Sequence, residues 1–289
     1  MISVIIVTFH SEEVIFDCLD SLLKYNDIGR GLEIIVVDNS NDEVSNRMSD
    51  NFINLYGDKI IYKRSGGNVG FGTANNIGFN ISSGEILLFL NPDTILIEPI
   101  FLKIIESFKN TKLGTLGLQM VDEHLNKQIS FFFIRGYFTP LLNFLVKWFN
   151  RFDFKLGNMI SSGACLFIKR NVFEDIGGFN TNMFLYHEES YIAKKILNLP
   201  EKYLLGFRSD LKYIHLEKKV QMSEFLLNEH HKSLSFYYKY FGFNFKIVKY
   251  LNLLLLSVKG LVFYITNNKK KLLQLNKEKE SFNKLINKK

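Results

Sequence analysis

Cysteine is nearly absent from this chain: its 289 residues hold two, Cys18 and Cys165, each inside an apolar-periodic segment. That leaves no disulfide framework, and both thiols read as reduced core residues, the state expected in the cytosol. Glycine is missing from the turn after the first strand, Thr8-Phe9-His10-Ser11-Glu12-Glu13. A pyrophosphate-binding turn needs G-x-G-x-x-G so that the backbone can close on the phosphates, so a dinucleotide-binding fold is excluded. A sugar-nucleotide pyrophosphorylase is disfavoured too, because its glycine-rich basic signature belongs in that same place. The glycine-rich stretch at 66–78 lacks the Gly-Lys-Ser/Thr ending of a Walker loop. No aromatic-interleaved basic face or nucleic-acid motif accompanies the net charge of +7, and no repeat or low-complexity linker occurs. No basic segment precedes the first strand, so no signal peptide is expected.

What is present is a globular composition, 47% hydrophobic and 22% charged, in a chain long enough for a sizeable core. The chain opens with an apolar strand, Ile2-Ser3-Val4-Ile5-Ile6-Val7, ending in Thr8-Phe9-His10. A helical stretch with Val14, Cys18, Leu19, Leu22 and Leu23 on one face follows. A second strand, Leu32-Glu33-Ile34-Ile35-Val36-Val37, then ends in Asp38-Asn39-Ser40. Strand, helix, strand implies parallel pairing. A third apolar run, Glu85-Ile86-Leu87-Leu88-Phe89-Leu90, leads into Asn91-Pro92-Asp93-Thr94. Pro92 ends the strand and presents Asp93 at its carboxyl end, where open α/β sheets gather ligands; Asn-Pro-Asp is also ordinary turn chemistry. Further on, Gly177-Gly178-Phe179 reads as a tight turn, and Glu188-Glu189 as the first turn of a helix through Tyr191 and Lys195. Acids there are also common helix-start residues.

These segments, with Gly67-Asn68-Val69-Gly70-Phe71-Gly72-Thr73-Ala74-Asn75-Asn76-Ile77-Gly78 between them, come in the order and spacing of the family-two inverting glycosyltransferases. The chain looks most like the bacterial branch containing rhamnosyltransferases of surface polysaccharide assembly. The match covers about three quarters of the chain, and five motifs in register are far more specific than one. The resemblance implies a GT-A fold, a nucleotide-sugar donor, dTDP-rhamnose among the candidates, and a divalent cation, Mg2+ or Mn2+. On that reading Thr8 and Asp38 hold the nucleoside, and His10, Asn68, Asn76 and Asn91 also belong to the donor-binding set. Asp93 matches the last acid of the family's D-x-D motif and carries the metal, with Asn91 in place of the first acid. Glu189 matches the catalytic aspartate, with Glu188 in reserve. Its carboxylate would take the acceptor proton during attack on the anomeric carbon. Two further departures, Tyr191 for an acid and Lys195 for an arginine, change the charge near the acceptor. They also suggest a second option, a catalytically degenerate binding protein.

His215 follows the run Leu211-Lys212-Tyr213-Ile214, at a spacing that resembles the family's late histidine beside the donor diphosphate; as a strand-end residue it could equally be structural. His187 has a weaker claim, and His230-His231 reads as solvated. Phe131, Phe132, Phe133, Tyr137, Phe138, Phe144, Trp148, Phe149, Phe152 and Phe154 crowd the segment where the family varies its acceptor side. They could be core, or could meet sugar rings or lipid. The basic charge is concentrated at the end: residues 267–289 hold eight lysines and two glutamates, against 28 basic and 27 acidic residues in 1–266. Before it, 241–265 is apolar but interrupted by Lys246, Lys249 and Lys259. Its longest uncharged run, 250–258, is too short to span a bilayer. A basic apolar helix suits an anionic membrane surface; the alternative is a helix packed on the protein. The expectation is a catalytic domain at 1–234 and a helical, basic extension at 235–289. The chain would work on the cytoplasmic side of a bacterial inner membrane and extend a lipid-linked oligosaccharide of O-antigen, capsule or another surface polysaccharide.

Overall fold

The computed structural model describes residues 1–137, 139, 154, 157–216, 223–265, 267, 269, 272, 273, 275, 276, 279 and 280. The chain falls into two compact units. The first comprises Met1–Phe132, Asp153–Thr181 and Glu188–Lys218, and the second comprises Phe133–Phe152, Asn182–His187 and Lys219–Lys289.

In the first unit an eight-stranded sheet runs β3-β2-β1-β4-β9-β6-β10-β5. Strands β1 (Ile2–Thr8) and β4 (Ile86–Leu90) are buried along their whole length, which is why they read as unbroken apolar runs instead of alternating ones. β1 pairs in parallel with β2 (Leu32–Asp38) on one side and β4 on the other, while β2 continues to β3 (Ile61–Arg64). The crossovers are α1 (Ile15–Lys24), α2 (Asp42–Tyr56) and α3 (Phe71–Ile81). Helix α3 starts at Phe71. It sits hard on the sheet: a Cβ on Gly78 would stand 2.5 Å from Ile5 Cγ2, so only glycine permits this approach.

The other half of the sheet is mixed. β5 (Thr94–Leu96) and α4 (Phe101–Phe108) precede the long strand β6 (Leu113–Val121). β7 (Phe131–Phe133) and β8 (Met159–Ser161) form a separate ribbon. β9 (Cys165–Lys169) runs antiparallel to β4, and α5 (Arg170–Asp175) and α6 (Glu188–Leu197) lead to β10 (Leu204–His215). Of the aromatic-rich segment, Phe131 and Phe154 pack with Phe207, ring centroids 5.2 to 5.6 Å apart. All three rings are half-buried. Phe138, Phe144, Trp148, Phe149 and Phe152 lie outside the described residues.

The second unit is helical. Ser223 caps α7 (Glu224–Tyr240), its side chain accepting from Leu226 N at 3.2 Å. The helix stops at Gly242, whose φ of +73° is left-handed, and α8 (Phe245–Ile265) begins after it. The helical extension expected from residue 235 thus contains the end of α7 and the whole of α8. Tyr237 and Tyr238 fasten α7 within its unit, donating their hydroxyls to the carbonyls of Arg135 and Gly136 at 3.0 and 3.1 Å. Helix α8 is 21 residues and, by length and composition alone, long and apolar enough to cross a membrane. Counting only uninterrupted runs understated it, because its three lysines break the run without breaking the helix.

Candidate active site

Parallel pairing decides where the polar strand ends meet. Thr8 is in register with Asp38, and Ile6 with Leu90, so Thr8, Asp38 and the Asn91-Pro92-Asp93 turn reach one edge of the sheet. β9, antiparallel, enters from that same edge, and Asn91 N donates to Ala164 O at 2.9 Å just before it. Beside Ala164 is Gly163, and the Glu189 Oε2 atom lies 3.9 Å from where a Cβ on Gly163 would stand. The carboxylate expected to act as base therefore belongs to the edge that holds Asp93. Glu188 is buried, whereas Glu189 is partly exposed.

Asp38 is almost fully buried, and its two oxygens are held by Ser40 N at 2.9 Å and by the Tyr62 hydroxyl. Burial, then the Asp38 contact, push the Tyr62 phenol well above its ordinary value, so the phenol stays protonated and donates. Thr8 Oγ1 is buried with no hydrogen-bond partner among the described residues. His10, with φ +50°, donates its backbone N–H to Ser40 Oγ at 3.0 Å. Asn39, passed over in the sequence although it adjoins Asp38, organises the glycine-rich loop. Its Oδ1 accepts from Ser65 Oγ and Val69 N, and its Nδ2 donates to Asn68 Oδ1, all at 2.9 to 3.0 Å. Asn76 has a different task. Its amide donates to Phe179 O at 2.8 Å and accepts from Phe179 N at 3.0 Å, a two-point clasp that serves the fold.

His215 and Asp93 are 122 residues apart yet meet, because β10 runs antiparallel to β5 with His215 opposite Thr94. His215 Nε2 lies 3.2 Å from Asp93 Oδ1, and Leu216 N donates to Asp93 O at 2.9 Å. The two side chains are 12% and 30% exposed, so the pair faces outward through the carboxylate. His215 Nδ1 is buried and has no hydrogen-bond partner among the described residues. Among the described residues no group of three or more His, Cys, Asp or Glu could enclose a metal. A carboxylate beside an imidazole, with the remaining coordination open, fits Mg2+ or Mn2+, which complete their shells with water and phosphate oxygens.

Elsewhere the histidines depart from the sequence reading. In the second unit His231 is 3% exposed, and burial lowers the pKa of His230 to about 3 and of His231 to about 4. His231 is buried and His230 half-buried, and both are held neutral instead of solvated. His187 is held far below the usual range by burial and by the Arg135 guanidinium, whose Nε donates to His187 Nδ1 at 2.9 Å. Tyr186 and His187, immediately before Glu188, both have left-handed φ, 74° and 72°. Such backbone is costly for non-glycine residues and clusters at functional segments. The two cysteines are buried and free, and burial pushes Cys18 up to about 12 and Cys165 higher, so neither is a nucleophile. Tyr191 is buried, its hydroxyl accepting from Asn180 Nδ2 at 3.1 Å.

The model of glycosyl transferase family 2 matches residues 3–177, more than half of the chain and the whole of the edge described above except Glu189 and His215. The chain belongs to this family. It is 28% identical over 199 residues to the low-salt glycan biosynthesis hexosyltransferase Agl10 of Haloferax volcanii, covering 65% of this chain and 59% of that protein. It is 30% identical over 92 residues to the poly(ribitol-phosphate) beta-glucosyltransferase of Bacillus spizizenii, covering 32% of this chain and 14% of the relative. The chain thus spans three fifths or less of the length of these curated relatives. Among solved structures, it superposes on the mannosyltransferase PcManGT from Pyrobaculum calidifontis, in complex with GDP-Man and Mn2+. The TM-score is 0.66 at 16% identity, over 100% of this chain and 87% of the other. The fold is therefore GT-A, with a helical C-terminal region, and the chain is similar in sequence to a glycan-biosynthesis hexosyltransferase and a poly(ribitol-phosphate) glucosyltransferase.

Proposed function

We propose that this chain moves a sugar, with inversion, from a nucleotide-sugar donor to a lipid-linked saccharide acceptor on the cytoplasmic face of a bacterial inner membrane. The observation that carries the reading is the convergence of Glu189 with the Asp93–His215 pair at one strand edge. Asp38 and Thr8 bind the nucleoside: Asp38 is pre-positioned by Ser40 and Tyr62, and the Thr8 hydroxyl waits for a partner. Asp93 and His215 would hold the divalent cation, which supplies positive charge to the donor diphosphate. Glu189 accepts the proton of the acceptor hydroxyl as that oxygen bonds to the anomeric carbon. The bond to the diphosphate breaks on the opposite face, which inverts the centre.

The resemblance in sequence favours dTDP-rhamnose, whereas the hexosyltransferase and glucosyltransferase relatives favour a hexose donor. A panel of dTDP-, UDP- and GDP-sugars, screened by thermal shift with Mn2+ and then by product analysis, decides between them. A donor at a hundred times its Kd stabilises by about 2.7 kcal/mol. Stabilisation followed by transfer supports the enzyme; stabilisation with neither transfer nor donor hydrolysis makes the chain a binding protein.

A further inference from the structure

Helix α8 carries a stripe the rest of its unit leaves uncovered. Ile247, Tyr250, Leu254, Val258, Leu261 and Ile265 are 48 to 72% exposed. Their spacings of 3, 4, 4, 3 and 4 put them on one face along about 27 Å of helix. Val248, Leu255 and Leu256, on other faces, are 0 to 8% exposed, so α8 is packed along one side and bare along another.

We propose that this stripe lies in the surface of an anionic lipid bilayer, with the helix axis along the membrane plane. Charge supports lipid over a second copy of the chain. Of 36 basic and 29 acidic residues, eleven lysines and two glutamates follow Asn244, leaving 25 against 27 before it. The bare stripe thus belongs to a segment of net charge +9 on a chain otherwise at −2. Two such segments repel one another, whereas acidic headgroups attract them. A paired helix would also place Tyr250, Ser257 and Tyr264 in one row of its seam, a poor filling for a coiled coil; tyrosine suits the water–lipid boundary. Lying flat, and not crossing, follows from the packed opposite side and from Lys246, Lys249 and Lys259 spread along the helix. The inference does not depend on sugar transfer, since it concerns the second unit alone.

The test is co-sedimentation of the full chain with vesicles of phosphatidylcholine alone or with 30% phosphatidylglycerol. It compares the parent with Leu254→Gln/Leu261→Gln and Leu254→Glu/Leu261→Glu, each checked for parental helicity by circular dichroism. The expected result is binding to the phosphatidylglycerol vesicles that falls at least tenfold from 50 to 500 mM salt. It should fall at least fivefold in either variant and be released by carbonate at high pH. Three results overturn the proposal: equal sedimentation of parent and folded variants, binding that resists carbonate, or a parent that self-associates through the stripe and ignores both vesicle types.

Discussion

The two ends of the central strand β4 treat polar groups in opposite ways. At its amino end a closed network joins Ser3, Glu33, Ser83 and Gly84: Ser3 and Ser83 donate to the Glu33 carboxylate, and Gly84 N donates to Ser3 Oγ at 2.7 Å. Arg170 completes it, donating to Gly84 O and Ser82 Oγ, both at 2.6 Å. A cavity of about 450 Å³ lined by Glu85, Lys169, Arg170 and Glu174 opens at this end. It lies across the sheet from the carboxylates of the active site, and its arginine is already occupied. At the carboxyl end, Thr8 Oγ1 and His215 Nδ1 are buried without partners among the described residues, and Asp93 and Glu189 remain partly exposed. Buried groups left unsatisfied cost about 1–3 kcal/mol each, which a ligand that pairs with them would offset.

The largest effect that tests this contrast is on the chemical step. Glu189→Gln should lower transfer by roughly 100- to 10,000-fold while donor affinity, read by calorimetry, stays within a few-fold of the parent. Glu188→Gln should cost much less, and a reversal of the two would move the base to the buried acid. Next comes the metal. Chelation should abolish transfer, and Asp93→Ala should weaken nucleoside diphosphate binding in Mn2+ on the order of 10- to 100-fold, the size seen when a metal site loses a supporting group. Full activity in excess chelator would leave Asp93 a turn residue.

The contrast itself is sharpened by a pair of small substitutions. Thr8→Val keeps the shape and removes the orphan hydroxyl. It should weaken donor binding about tenfold while leaving the melting temperature unchanged or higher. Ser3→Ala should do the reverse, costing about 1–2 kcal/mol of stability with donor binding intact. If both lose stability alike, the two ends are not differently built. The smallest effect concerns pH. Burial alone would raise the Glu33 pKa, but hydrogen bonds from Ser3 and Ser83 and the Arg170 charge hold it below the ordinary 4.5. A lowered folded value means its stabilisation is full above 4.5 and is lost as pH falls through that lower value. Glu33→Gln should therefore flatten the acid limb of the stability curve by a few tenths of a kcal/mol, about the size expected of an exposed charge.

The sequence alone determined the parallel half of the sheet and the polar tips of its strands. Runs such as Ile86-Leu87-Leu88-Phe89-Leu90 have no other economical burial, and polar residues that end them can only reach a strand edge. The order of motifs also determined the family. What only the tertiary structure decided lies between residues distant in the chain. The pairing of β10 with β5 brings His215 to Asp93, and the antiparallel entry of β9 sets Gly163 beside Glu189. Asn76, on α3, was spent on Phe179, His187 and His230 were brought close to Arg135, and His231 was buried. Local periodicity records which face of an element is apolar, but a polar side chain has many possible partners. Which one it takes depends on strand order and register, a property of the whole packed sheet and not of any window of residues.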